Sequence, residues 1–281
     1  MRLELDHRQV FAATGGRAHE PGQMLIVFLH GAGMDHSVWA LQSRWFAHHG
    51  ANALAVDLPG HGGSAGPALT DIGALADWTA RLIAAVGAER AMLVGHSMGA
   101  LIALETAARH PSLVAGMALI GVAAKMPVHP DLLAAAKANS HVAVDMVSLW
   151  SLGASATLGG AAAPGLWMLG GAERLLEKAA PGVLHADLAA CNAYQTAAEA
   201  AAKAACPTTL ILGERDMMTP LKAGRALAAL IAGARTIVLP GAGHMLMTER
   251  PDEVLDALEA SAAGIGSRTP APLSQTLSGA P

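Results

Sequence analysis

From about residue 24 onward, short apolar runs alternate with stretches of helical periodicity. That alternation restricts the chain to an α/β fold, a mostly parallel sheet with helices on both faces. The runs Met24–Leu29, Ala53–Val56, Ala91–Val94, Gly116–Ile120, Thr209–Leu212 and Thr236–Leu239 are too short for helices and read as buried strands. Ile72–Val86 (with Thr70 or Asp71 as N-cap), Leu101–Arg109 (stopped before Pro111), Leu221–Ile231 and Asp252–Ala262 carry apolar residues at helical spacing. Ahead of them, Leu3–Leu5 and Gln9–Ala13 flank Asp6-His7-Arg8 and read as an antiparallel hairpin at the sheet edge.

The alternation breaks between Ala123 and Cys206. This stretch is alanine-rich and helical in propensity, with turn points at Pro127, Pro130, Gly159-Gly160, Gly170-Gly171 and Pro181-Gly182. It predicts a helical cap of three or more helices inserted between two core strands. The expected division is a core over 1–122, the cap over 123–206, and the rest of the core over 207–263. The glycine pairs are candidate hinges for the cap. The tail, 264–281, is rich in turn residues and poor in apolar ones, so disorder is expected there.

Composition narrows the partners. With 53% hydrophobic and only 14% charged residues, the chain has ample material for a packed core. Its 18 Lys+Arg against 22 Asp+Glu leave no basic excess to hold a phosphate backbone, which argues against nucleic acid. The longest apolar run, Leu113–Ala124, is too short to span a bilayer, and the first residues lack the apolar stretch of a signal peptide. Cys191 and Cys206 cannot form a disulfide framework and suit a reducing cytoplasm, the expected location. The cysteines and scattered histidines show no paired ligand spacing, so neither a metal nor an organic cofactor is implied. Oligomeric state is not readable.

The chemistry turns on a Gly-x-Ser-x-Gly pattern, which occurs twice, at Gly95–Gly99 and Gly62–Gly66. A nucleophile elbow needs a strand running into the serine and a helix leaving it, with small residues two positions either side. Ser97 has Ala91–Val94 before it and an apolar helical stretch after it. Ser64 sits in a Gly/Pro loop, with Pro67 where a helix should begin. Ser97 is the candidate nucleophile and Ser64 the decoy.

A serine hydroxyl reacts only when a histidine takes its proton and a carboxylate orients that histidine. Among 13 histidines, His244 follows the last strand on a short glycine loop, at the end of the sheet where the elbow points. His30 and His96 flank glycines beside this site and are read as shaping loops through hydrogen bonds. Asp216 follows the strand Thr209–Leu212 and lies between Ser97 and His244 in the chain, the order of a Ser…Asp…His triad on such a sheet. Glu214 is its nearest rival. The oxyanion requires two backbone N–H donors: Met98, after the nucleophile, and Ala32 in the loop His30–Gly33, with Gly33 as the alternative. Within the cap, Met146, Leu149, Trp150, Leu166, Trp167, Met168 and Leu169 offer a soft apolar lining. Together with His30, Gly33 and Met245, the expected pocket residues are Met146, Trp150 and Trp167.

These segments together resemble the α/β-hydrolase superfamily over about residues 1–263. The features that carry the resemblance are Leu29–Trp39, Asp57–Ser64, Gly95–Gly99, Leu212–Pro220 and Pro240–Met245, in the superfamily's order. In such enzymes the Asp57–Ser64 segment is a structural turn, which agrees with Ser64 being idle. The chain looks like the small capped serine hydrolases: carboxylesterases, enol-lactonases, cofactor-free haloperoxidases and C–C bond hydrolases. Ala186–Asn192 is similar to cap helices of that group. Haloalkane dehalogenases and epoxide hydrolases would require an aspartate where Ser97 stands.

The leading expectation is a serine hydrolase for a carboxylic ester with a small to medium apolar acyl group. A lactone, a thioester or a C–C bond beside a ketone would use the same triad. A ligand-binding protein on a hydrolase scaffold is the reading from another class, disfavoured by the complete constellation.

Overall fold

The structure is a computed structural model that describes residues 1–160 and 167–266. At its edge, Asp6 and His7 both take positive φ, 52° and 59°, as a two-residue type I′ turn demands. Through that turn β1 (Arg2–Leu5) pairs antiparallel with β2 (Arg8–Ala13). Arg8, expected in the turn, is therefore a strand residue opposite Leu5.

Six further strands follow: β3 (Leu25–Leu29), β4 (Asn52–Val56), β5 (Ala91–His96), β6 (Val114–Ile120), β7 (Thr208–Gly213) and β8 (Arg235–Leu239). The eight-stranded order is β1-β2-β4-β3-β5-β6-β7-β8, with β2 antiparallel to β4 and every later pair parallel. This is the mostly parallel sheet expected. Strands β3 to β7 each feed two cores, because successive side chains point to opposite faces. Leu25, Val27 and Leu29 of β3 join one cluster, Ile26 and Phe28 the other.

On the second cluster lie α1 (Ala40–His48), through Phe46, and α12 (Pro251–Gly266), through Val254 and Leu258. On the first cluster lie α2 (Ile72–Ala85), α3 (Met98–Arg109) and α10 (Leu221–Ala228). Asp71, one of the two expected caps, accepts the N–H of Ala74 at 2.8 Å. Helix α1 carries no clear sequence signal, because its buried face includes Gln42 and Ser43, and those polar residues erase the apolar period. A short helix α11 (Leu246–Glu249) precedes α12.

Between β6 and β7 the chain forms α4 (Pro130–Lys137), α5 (His141–Ser151), α6 (Ala154–Thr157), α7 (Met168–Leu176), α8 (Val183–Ala193) and α9 (Ala197–Lys203). Helix α9 buries Ala197, Ala200 and Ala201 in the first core cluster, alongside α3. Gly170 and Gly171, expected at a turn, lie inside α7. A Cβ on Gly170 would stand 2.3 Å from the Trp167 ring, so the glycine makes room for an indole rather than for a bend. Of the expected tail, 264–266 ends α12 and the remainder lies outside the described residues. Among the described residues no helix is long and apolar enough to cross a membrane.

Candidate active site

Ser97 sits between the last residue of β5 and the first of α3, at φ 53° and ψ -115°. A non-glycine residue in that region costs on the order of 1–3 kcal/mol and persists only where the surroundings impose it. Here the imposition is steric. A Cβ on Gly95 would lie 2.2 Å from Gly99 O, and one on Gly99 would lie 2.2 Å from Leu29 O. Only glycine at both positions lets strand, turn and helix approach so closely. Ser97 N–H donates to Ile120 O at 2.9 Å, which ties the turn to β6. Met98 opens α3, so its N–H belongs to the first helical turn, where no intrahelical partner exists.

Ser64, in the second Gly-x-Ser-x-Gly, is a fastening. Its hydroxyl donates to Asp57 O at 2.7 Å and accepts Phe11 N–H at 2.9 Å, joining the edge hairpin to the loop after β4.

His244 and Asp216 meet at the carboxyl ends of β8 and β7. Asp216 Oδ2 lies 2.8 Å from His244 Nδ1, and both side chains are buried. The carboxylate is itself fixed: Oδ1 accepts from Met218 N and Thr219 N at 2.9 and 2.8 Å, and Oδ2 from Thr219 Oγ1 at 2.7 Å. Burial pushes the Asp216 carboxyl upward, but the facing His244 and these hydrogen bonds outweigh it and hold it below the ordinary carboxylate value. A carboxylate only accepts, so Nδ1 carries the hydrogen and Nε2 is left as the basic nitrogen. Gly121, at φ 58°, lies close under the imidazole: a Cβ there would stand 3.1 Å from His244 Nδ1 in a backbone conformation that side chains rarely adopt. The rival Glu214 faces the other way and accepts Gly241 N–H at 2.9 Å.

Two further histidines are built into the frame. His30 Nδ1 donates to Gly31 O at 2.9 Å while Nε2 accepts Leu58 N–H at 3.1 Å. His96 Nε2 donates to His244 O at 3.0 Å. Burial drives both imidazoles down to about 3, so they stay neutral and hold loops in place.

The loop after β3 is a turn in which Met34 N–H donates to Gly31 O at 3.2 Å. Gly33 N–H donates to Asp187 at 2.8 Å. With those two N–H groups engaged, Ala32 keeps the remaining N–H of the two central residues, and it lines the same cavity as Ser97 and His244.

That cavity has a volume of about 320 Å³. Its walls come from the segment Met126–His129, from Leu132 of α4, from Val147 and Trp150 of α5, from Leu184, Leu188 and Cys191 of α8, and from Met217 and Met218. Of the expected pocket residues, Trp150 lines it. The others stand elsewhere. His30 is buried and bonded to Leu58 N–H, and Gly33 packs against Leu184 and Leu176. Met146 turns into the second core cluster. Trp167, Met168 and Met245 border a separate cavity of about 190 Å³. Leu166 lies outside the described residues. Apolarity alone picked residues of the right character, but not the helix faces that look toward Ser97. The Met217-Met218 pair, directly after Asp216, was the one lining signal available from position alone.

The sheet order, the elbow and the loops carrying Asp216 and His244 define an α/β hydrolase. The chain belongs to the alpha/beta hydrolase family, whose model matches residues 26–257. It is 33% identical over 246 residues to the pimeloyl-[acyl-carrier protein] methyl ester esterase of Chromobacterium violaceum, covering 83% of this chain and 92% of that protein. Its fold superposes on the enol-lactonase from Burkholderia xenovorans LB400 with a TM-score of 0.84 at 24% identity, over 94% of this chain and 100% of that one. A thermophilic esterase from Thermogutta terrifontis matches with a TM-score of 0.81 at 20% identity, over 94% and 99% of the two chains.

Proposed function

We propose that the chain is a serine hydrolase that cleaves carboxylic esters with a small to medium apolar acyl group. The observation that carries this reading is the Asp216–His244 hydrogen bond at 2.8 Å, beside a cavity whose lining includes both His244 and Ser97. His244 Nε2 takes the hydroxyl proton as Ser97 Oγ attacks the carbonyl carbon. The N–H groups of Ala32 and Met98 hold the oxyanion, and Asp216 stabilises the imidazolium. The proton then passes from His244 to the leaving alcohol oxygen as the C–O bond breaks. Water, deprotonated by His244, hydrolyses the acyl-enzyme by the same route in reverse.

The cavity supports the acyl preference. Among the described residues that line it there is no Lys, Arg, Asp or Glu, while four methionines, Met34, Met126, Met217 and Met218, give it a soft apolar surface. A charged acyl group would be desolvated there without a partner. Its volume of about 320 Å³ lies at the small end of ligand pockets. The ester-hydrolysing relative from Chromobacterium violaceum is in keeping with this chemistry.

The test is the hydrolysis of p-nitrophenyl esters from acetyl to dodecanoyl, with Ser97→Ala beside the wild type. A rate that peaks at short or middle chains and vanishes in the variant supports the reading. Absence of turnover at every chain length, or activity retained by a folded Ser97→Ala protein, overturns it.

A further inference from the structure

One side chain of the helices between β6 and β7 reaches the turn beside the nucleophile. Asp187, on α8, is 1% exposed. Its Oδ2 accepts Gly33 N–H at 2.8 Å and also lies 2.8 Å from His61 Nε2. The other nitrogen of that imidazole, Nδ1, lies 3.1 Å from the carbonyl of Pro59. A carbonyl only accepts, so Nδ1 carries hydrogen; where Asp187 is a carboxylate, Nε2 carries hydrogen as well and the pair is imidazolium with carboxylate. Burial works against the charge on His61, and the hydrogen bond and charge of Asp187 overcome it. As a stability device such a buried pair is poor, since an apolar pair of similar volume serves as well or better. What an apolar pair cannot supply is an acceptor beneath Gly33.

The position of that acceptor matters because of the turn. Met34 N–H closes it onto Gly31 O, with Ala32 and Gly33 in the middle, and Gly33 has φ +69°. A positive φ at the third residue makes the turn type II, which differs from type I by rotation of the single central peptide. That peptide joins Ala32 to Gly33, and its N–H is the one Asp187 holds. Rotation would swing the Ala32 carbonyl toward the carboxylate and change ψ of Ala32, the residue whose N–H the hole uses. Helix α8 also closes on the turn directly, for a Cβ on Gly33 would stand 2.8 Å from Leu184 Cδ1.

We propose that Asp187 is a positioning residue for the oxyanion hole: paired with His61, it locks the Ala32–Gly33 peptide so that Ala32 N–H stays aimed at the reacting carbonyl. This rests on the ester-hydrolase reading above, in which Ala32 is one of the two donors. Asp187 touches no substrate and acts through the turn.

The experiment compares Asp187→Asn, Asp187→Ala and the double variant His61→Leu/Asp187→Leu with the wild type. The readouts are kcat and KM on p-nitrophenyl butyrate and the inhibition constant of butylboronic acid, whose adduct with Ser97 places an oxygen in the hole. Removing one oxyanion donor outright costs about 100- to 1000-fold in kcat, so unlocking one is expected to cost about 10- to 100-fold in Asp187→Ala and in the double variant. KM should stay within about twofold while the boronic acid weakens in parallel with kcat. Asp187→Asn, whose amide oxygen can still accept Gly33 N–H, should recover most of the activity. The double variant keeps the test open if Asp187→Ala does not fold, because it leaves no buried charge unpaired. Wild-type kcat in the folded double variant, or a kcat loss with unchanged boronic acid affinity, overturns the proposal. Ser97→Ala run in the same assay separates the two ideas: if it retains activity, the ester-hydrolase reading itself has failed.

Discussion

The carbonyl of Ser151, the last residue of α5, accepts the N–H groups of both His244 and Met245, at 2.7 and 3.0 Å. From the other side, Glu249 accepts Gly153 N–H at 3.0 Å and Gly243 N–H at 3.0 Å. The helices between β6 and β7 are thus bonded to the histidine loop at one point and, through Asp187, to the Gly31–Met34 turn at another. Lifting α5 from the core would break the bonds that place His244. These helices therefore belong to the construction of the site and do more than cover it.

If Ser97 attacks and Asp216 orients His244, the two residues should fail differently. Ser97→Ala should lower kcat by about a millionfold with little change in KM or thermal stability. Asp216→Asn should lower kcat by about 10,000-fold, because the amide can donate to Nδ1 and so favour the wrong tautomer of His244. Steady-state kinetics with melting curves on the same preparations checks both.

The elbow was legible because two local patterns, a short apolar run and a helical period, meet at one serine between two glycines. The sheet was legible for the same reason: residues buried on both faces leave uninterrupted apolar runs. Helix α1 was not, since Gln42 and Ser43 face inward. Nor was the cavity lining, because alanine-rich helices have no strong apolar stripe to orient them: Met146 and Trp150, four apart on α5, both pack against the second core cluster, and of the two Trp150 lines the cavity. Asp187 did leave a trace, as a lone acid in the otherwise uncharged helical stretch Val183–Ala193. Its partner His61 lies 126 positions away in the chain, and no local pattern connects the two.

Gly99→Ala tests the steric account of the elbow. The added Cβ meets backbone on every side, with Leu29 O at 2.2 Å and His30 O at 2.7 Å. Backbone cannot step aside as a side chain can, so the variant should lose about 3 kcal/mol or more of stability. Activity should fall even at temperatures where it stays folded, because β3 leads into the Gly31–Met34 turn, which the proposed mechanism uses to hold the oxyanion. Denaturant unfolding against residual kcat measures the two effects separately, and a stable, active variant would refute the account.

The His61–Asp187 pair predicts a pH signature in stability. His61 titrates above its ordinary value of 6.5 in the folded protein. A raised histidine contributes stability that is fully present below 6.5 and disappears as the pH climbs through the folded value. His36, raised by Asp57, acts with the same sign, so the wild type alone cannot isolate the pair. The difference in melting temperature between wild type and His61→Leu/Asp187→Leu should favour the wild type most below pH 6.5 and shrink at higher pH. A difference that is flat from pH 5 to 9 would exclude a charged His61.

If the cavity receives the acyl group as proposed, Trp150 should set the chain length it accepts. It stands on α5 in the cavity wall, half-buried, with its ring 6.0 Å from that of His129. Trp150→Ala removes an indole from the wall of a cavity of about 320 Å³ and leaves Ser97, His244 and the proposed oxyanion donors unaltered. Each methylene that gains or loses a wall contact changes discrimination by about 1–3 kcal/mol. The optimum on p-nitrophenyl esters should therefore move to acyl chains longer by about two carbons or more, while kcat/KM for the acetyl ester falls as its contacts are lost. The full chain-length profile of wild type and variant is the measurement. An unchanged optimum would mean that the acyl group lies against another wall, the Met217-Met218 side being the next to alter.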